Sequence, residues 1–206
     1  MISPTAMLLL TLGITMVLIG ALVRAPEITE ARGGKIMAFV ALFLLPTLGT
    51  LWAFSVHIER SKETSFCLSC HVMQPYGRSL MVDDKSWIPA SHYENHRVPR
   101  EEACFTCHTT YTMYGDIRAK MTGLHHIWVE YVEGAKPPLR LYEPYNNREC
   151  LHCHAGARSF EEEATHSAMM DDLKNNSMSC LTSGCHDTIH NIEHLKDAKM
   201  WSPPKS

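Results

Sequence analysis

The chain has 206 residues and a formal net charge of −3, from 19 Lys and Arg against 22 Asp and Glu. That length allows one domain plus membrane segments, and the slightly acidic balance excludes a basic nucleic-acid binder. Eight Cys and thirteen His are unusual for an ordinary globular chain of this size.

Residues 5–23 form an uncharged run of 19 residues, long enough to cross a bilayer as a helix. A secretory signal peptide would begin with a basic segment. No Lys or Arg precedes this run, so a retained transmembrane helix is expected. Residues 24–35 are polar and read as a short loop holding Arg24, Arg32 and Lys35. Residues 36–56 form a second uncharged run of spanning length. Pro46 predicts a kink in it, and Trp52 suits a membrane interface. Residues 1–56 are therefore expected to be an anchor of two helices, and residues 57–206 a separate domain.

That domain carries a repeated motif. Cys67-Leu-Ser-Cys70-His71, Cys104-Phe-Thr-Cys107-His108 and Cys150-Leu-His-Cys153-His154 are three copies of C-x-x-C-H. Cys180-Leu-Thr-Ser-Gly-Cys185-His186 is a fourth, stretched by two residues, with Gly184 available for the odd backbone angles of the extra loop. C-x-x-C-H is the attachment signature of c-type haem. The two thiols, one helical turn apart, become thioethers, and the adjacent His reaches the iron. Paired C-x-x-C also occurs at zinc sites, but zinc needs no His after the second Cys. All eight Cys fall in the four motifs, so none remains for a disulfide. Four haem c groups are expected, with Cys67, Cys70, Cys104, Cys107, Cys150, Cys153, Cys180 and Cys185 as attachment points and His108, His154 and His186 as proximal ligands.

The motifs recur at spacings of 37, 46 and 30 residues, which is not a simple tandem repeat. Between the second and third, Tyr114, Ile117, Met121, Leu124, Trp128 and Tyr131 fall at three- and four-residue steps and predict a helix. Gly134 and Pro137-Pro138 end it. Asn146-Asn147 reads as a turn. Residues 160–174 predict a further helix with acidic residues in its first turn, and the tail from Trp201 to Ser206 is expected to be irregular. The fold class expected is mainly α: N-terminal transmembrane helices followed by a small multihaem cytochrome c domain with little sheet and a core formed by haems.

Two arguments set the topology. The basic loop favours the cytoplasmic side, and haem is attached to cytochrome c thiols outside the bacterial inner membrane. Both place the haem domain on the periplasmic side.

The stretch Phe66-Cys67-Leu68-Ser69-Cys70-His71-Val72-Met73, followed by Ser91-His92-Tyr93-Glu94-Asn95, Lys120 and His190, resembles the NapC/NirT/NrfH family of membrane-anchored tetrahaem quinol dehydrogenases. The resemblance covers roughly residues 50–195 and is strongest over the first two motifs. It implies electrons taken from menaquinol or ubiquinol and passed through four haems to a periplasmic reductase or cytochrome, a nitrite-reductase-type partner being favoured, in a hetero-oligomeric complex. It implies Met73 as protein ligand of the first haem, with His71 taking that place otherwise. A thioether tends to raise the potential. It implies distal ligands among His92, His96, His126, His166 and His190. It also implies a quinol site around Lys120, where His125-His126 stand in place of the family's Asp; a His there could ligate the iron or, as a side chain suited to proton transfer, take a quinol proton.

The chain departs from the family in its second membrane helix and its stretched fourth motif. Two further readings therefore stand beside quinol oxidation. One is a passive relay fed by another membrane subunit, its helices packing through Gly13, Gly20 and Gly49. The other is a reductase in its own right, which would need an open iron position. The domain after residue 56 has sixteen basic and twenty acidic residues, so a partner should present a neutral or basic surface.

Overall fold

The computed structural model describes residues 4–202 and divides into two compact units, one ending at Ser61 and the other starting at Lys62.

The first unit is a helical hairpin. Helix α1 (Pro4–Arg24) leads through a 3-10 turn (Pro26–Glu30) into α2 (Arg32–Phe39). The backbone then widens into one π turn (Val40–Leu44) and continues as α3 (Leu45–Arg60). Pro46 explains the widening: it has no N–H for the carbonyl four residues back, so the ladder must be re-formed around it. The second helix thus starts earlier than residue 36 and ends later than residue 56. Both helices are long and apolar enough to cross a membrane, and their faces are almost entirely uncovered. Where α1 meets α3, Gly49 lets the Thr11 methyl approach to 3.8 Å of where a Cβ would stand. Thr11, Thr15 and Thr50 donate their hydroxyls to carbonyls four residues back, at 2.8–2.9 Å, which satisfies them without water.

The second unit is built of short helices: α4 (Thr64–Cys67), α5 (Gln74–Ser79), α6 (Ile88–Glu94), α7 (Ala103–His108), α8 (Gly115–Trp128), α9 (Arg148–His154), α10 (Arg158–Glu161), α11 (Ala164–Ala168) and α12 (Met170–Lys174). Most are too short to hold in isolation. The only β pairing among the described residues is one bridge, Val82 to Met200. The mainly α fold class holds.

One local expectation needs correction. Residues 160–174 are not one helix but three pieces, α10 to α12. The His166 ring, through Nδ1, and the Ser167 hydroxyl both bond main-chain carbonyls, of Phe160 and Glu161, which competes with the helical ladder. The long helix α8 ends at Trp128 in a π turn (Val129–Glu133) before Gly134 at φ +75°. The tail is irregular at residues 201–202, where Trp201 donates its N–H to Met81 O at 2.7 Å and Arg100 lies over its ring; residues 203–206 lie outside the described residues.

The apolar core is too small for a unit of this size. Val82, Trp87, Ala90 and Leu195 form one cluster, with Ala198 against it. Polar clamps do much of the rest. Thr64 donates its hydroxyl to Arg100 O and accepts from the Ala103 N–H, tying α4 to α7. Asn147, 1% exposed, donates to Leu173 O and Met178 O and accepts from the Cys180 N–H, tying the third motif to the fourth. Tyr145 donates its hydroxyl to Cys107 O, tying the second to the third.

Candidate functional site

The four motifs sit on different local structures. The first spans the end of α4, the second lies wholly in α7 and the third in α9. The fourth is a loop, closed by the His186 N–H on Cys180 O at 3.1 Å, with Gly184 at φ +83°. A C-x-x-C turn can stay helical; two more residues force the bulge, and glycine takes the left-handed position in it. All eight thiols are free of disulfides. The first cysteines of neighbouring motifs hydrogen-bond each other, Cys67 with Cys104 and Cys150 with Cys180. The Cys104 bond draws the Cys67 thiol down to about 7. Burial, and then the nearby Cys153, raise the Cys107 pKa.

The histidines form pairs. The ring of His108 faces that of His190 with centroids 6.3 Å apart and planes 15° from parallel. His154 faces His92 at 6.0 Å, and His186 faces His166 at 6.1 Å. Each pair joins one motif histidine to one outside the motifs. Metal–imidazole bonds of about 2 Å, with the nitrogen roughly 1 Å from its ring centre, put two imidazoles across one metal about 6 Å apart. All three pairs match that spacing.

The tautomers agree with the same reading. His92 Nδ1 lies 2.8 Å from Ile88 O, and His166 Nδ1 lies 3.2 Å from Phe160 O. A carbonyl only accepts, so each Nδ1 carries the proton and Nε2 keeps its lone pair. This is the usual outer support of a metal-bound imidazole. Desolvation lowers the pKa of His108, and takes that of His190 to about 4. His108 is desolvated and yet uncovered on its ring surface, as a residue lining an internal slot would be. Haem fits these slots. Bound there, it would supply reversible one-electron chemistry.

His96 and His126 are placed differently. His96 is exposed, at φ +53° in a turn. His125 and His126 both pack on Tyr142, at 4.6 and 5.3 Å. Among the described residues neither His96 nor His126 makes a ring contact with a motif histidine.

The first motif differs from the others. No second imidazole faces His71 among the described residues. It opens instead on a cavity of about 340 Å³ lined by Arg78, Glu130 and Pro137 among others. Glu130 Oε2 is buried there without a hydrogen-bond partner. Met73 is half-buried at the end of the 3-10 turn from His71. Lys120 lies near the first cysteine of the motif: its ammonium is 4.3 Å from the Phe105 ring centre and its charge lowers the Cys67 pKa. The same Phe105 ring takes Lys62 at 5.4 Å, and Lys62 pairs with Asp116 on α8.

Sequence reasoning missed Glu130, Asn147 and Ser79, the last hydrogen-bonded to His190. Glu130 sits in the π turn after α8, ten residues beyond Lys120, and the sequence reading sought the carboxylate earlier on that helix. Asn147 was visible only as half of a turn signal.

No curated protein and no solved structure gave a match to the chain. The model of the NapC/NirT cytochrome c family, N-terminal region, matches residues 30–196. The two long apolar helices, the haem-type motifs and this match lead to one conclusion: the chain belongs to the NapC/NirT cytochrome c family and is a membrane-anchored multihaem cytochrome c that transfers electrons.

Proposed function

We propose that the protein oxidises quinol, menaquinol in our reading, at the first motif and passes the electrons along four haems to a periplasmic reductase or cytochrome. The haem unit then lies on the periplasmic side of the bacterial inner membrane. His108 with His190, His154 with His92 and His186 with His166 hold three of the irons, and Met73, or His71 in its place, holds the first.

The observation that carries this reading is the asymmetry of the first motif. Three motif histidines face imidazoles, whereas His71 faces a cavity with one buried carboxylate oxygen, Glu130 Oε2. Quinol oxidation releases two electrons and two protons for each quinone formed. Glu130 is placed to accept a proton from a quinol hydroxyl, and Arg78 lines the same cavity. Lys120, beside Cys67, can donate a hydrogen bond to a quinol oxygen, and His125 further along α8 offers a second proton acceptor. Helix α8 also leaves Tyr114, Ile117, Met121, Leu124 and Trp128 exposed, an apolar approach suited to a lipid-soluble donor.

The test is anaerobic visible spectroscopy of the purified protein in detergent with a menaquinol analogue. Growth of the reduced α-band, slowed in Lys120→Ala and in Glu130→Gln, supports quinol oxidation. If dithionite reduces every haem and quinol reduces none, the passive relay fed by another membrane subunit is favoured. The uncovered faces of its two spanning helices leave room for such a subunit.

A further inference from the structure

We infer that Ser79 is a positioning residue for His190 and sets the redox potential of the iron held between His108 and His190; this rests on reading those two histidines as opposite ligands. His92 and His166 present Nδ1 to main-chain carbonyls. His190 alone of the three presents it to a side chain, Ser79 Oγ at 2.6 Å. The same oxygen lies 2.6 Å from Tyr76 O. A hydroxyl has one proton and a carbonyl has none, so Ser79 donates to Tyr76 and accepts from His190. That fixes the proton on Nδ1 and leaves Nε2 free for the metal.

The bond is protected and directed. Ser79 is fully buried. The Tyr76 ring stands edge-on to His190 at 5.6 Å, and its hydroxyl accepts the Leu139 N–H at 2.5 Å. His190 itself is held at φ +43°, a conformation costly for a residue with a Cβ. Hydrogen bonds in series strengthen one another, so a hydroxyl already donating to Tyr76 O is the better acceptor for Nδ1–H. A stronger bond at Nδ1 makes Nε2 more electron-donating and favours the oxidised iron. Ser79 closes α5, the helix that follows the first motif. The segment leaving the first motif thus holds a ligand of the second.

The test is a potentiometric titration of the detergent-solubilised holoprotein, followed by visible and electron paramagnetic resonance spectra. Ser79→Ala should move one haem component to higher potential, by about tenfold in its reduction equilibrium, or about 59 mV for one electron. The other components should stay in place, and Ser79→Thr should restore the original value. No shift in any component, or an equal shift in all of them, overturns the assignment. His190→Ala separates the two levels of the argument. If it abolishes one low-spin signal while Ser79→Ala moves nothing, the ligand pair stands and the positioning role falls. If it leaves every signal unchanged, His190 is not a ligand and both fall.

Discussion

Motifs two to four and motif one share a sequence signature but not a setting. His108, His154 and His186 each face an imidazole about 6 Å away. His71 faces a cavity and a buried carboxylate oxygen without a partner. Two imidazoles close the coordination of an iron and suit it to passing electrons on. An environment with a carboxylate, an arginine and open volume suits the place where electrons and protons enter together. The difference teaches that the attachment signature fixes where a haem goes, while its role is set by what distant segments bring to its other side.

The sharpest ways to break this comparison remove a haem outright. Replacing Cys104 and Cys107 by Ala should cost one haem per chain, read by haem content against protein, and should interrupt electron flow beyond the first motif. Next comes the pairing. His92→Ala should turn one low-spin haem high-spin, whereas His96→Ala and His126→Ala should leave the low-spin spectrum unchanged. Loss of a low-spin signal in His126→Ala would redraw the comparison. Third, Glu130→Gln should slow quinol oxidation by about 10²-fold, within the usual range for a general base, and leave dithionite reduction of all haems intact. Fourth, Asn147→Ala removes three side-chain hydrogen bonds inside the unit. At about 1 kcal/mol each, it should cost roughly 3 kcal/mol of stability, seen in thermal melts of the holoprotein as a loosening of the third and fourth motifs with the first two little changed.

The parts legible in sequence are those written in contiguous residues. Both spanning helices follow from uncharged runs, and the four motifs hold their chemistry within five or seven residues. The widened turn before Pro46 is local too, since it follows from one missing N–H. The histidine pairing is not local: the partners lie between 20 and 82 residues apart, with no period to betray them. His92, His166 and His190 could be named as candidates, but so could His96 and His126, which differ from them only in where the chain folds. The periodic stripe of α8 predicted a helix correctly, but not that its apolar face is left uncovered. Asn147 and Ser79 were hidden for a related reason: small polar residues signal turns and surfaces, and here they are buried because backbone groups from far along the chain satisfy them. The 160–174 segment has helical composition throughout. Its breaks come from side chains bonding to main-chain carbonyls, which composition does not report.

The most direct test of the asymmetry is low-temperature electron paramagnetic resonance with near-infrared magnetic circular dichroism of the fully oxidised protein. Three haems with bis-imidazole signatures and one haem of a different kind, altered in Met73→Ala or Glu130→Gln, is the predicted result. Four bis-imidazole haems would contradict it, because His71 would then have an imidazole partner that the fold does not place there.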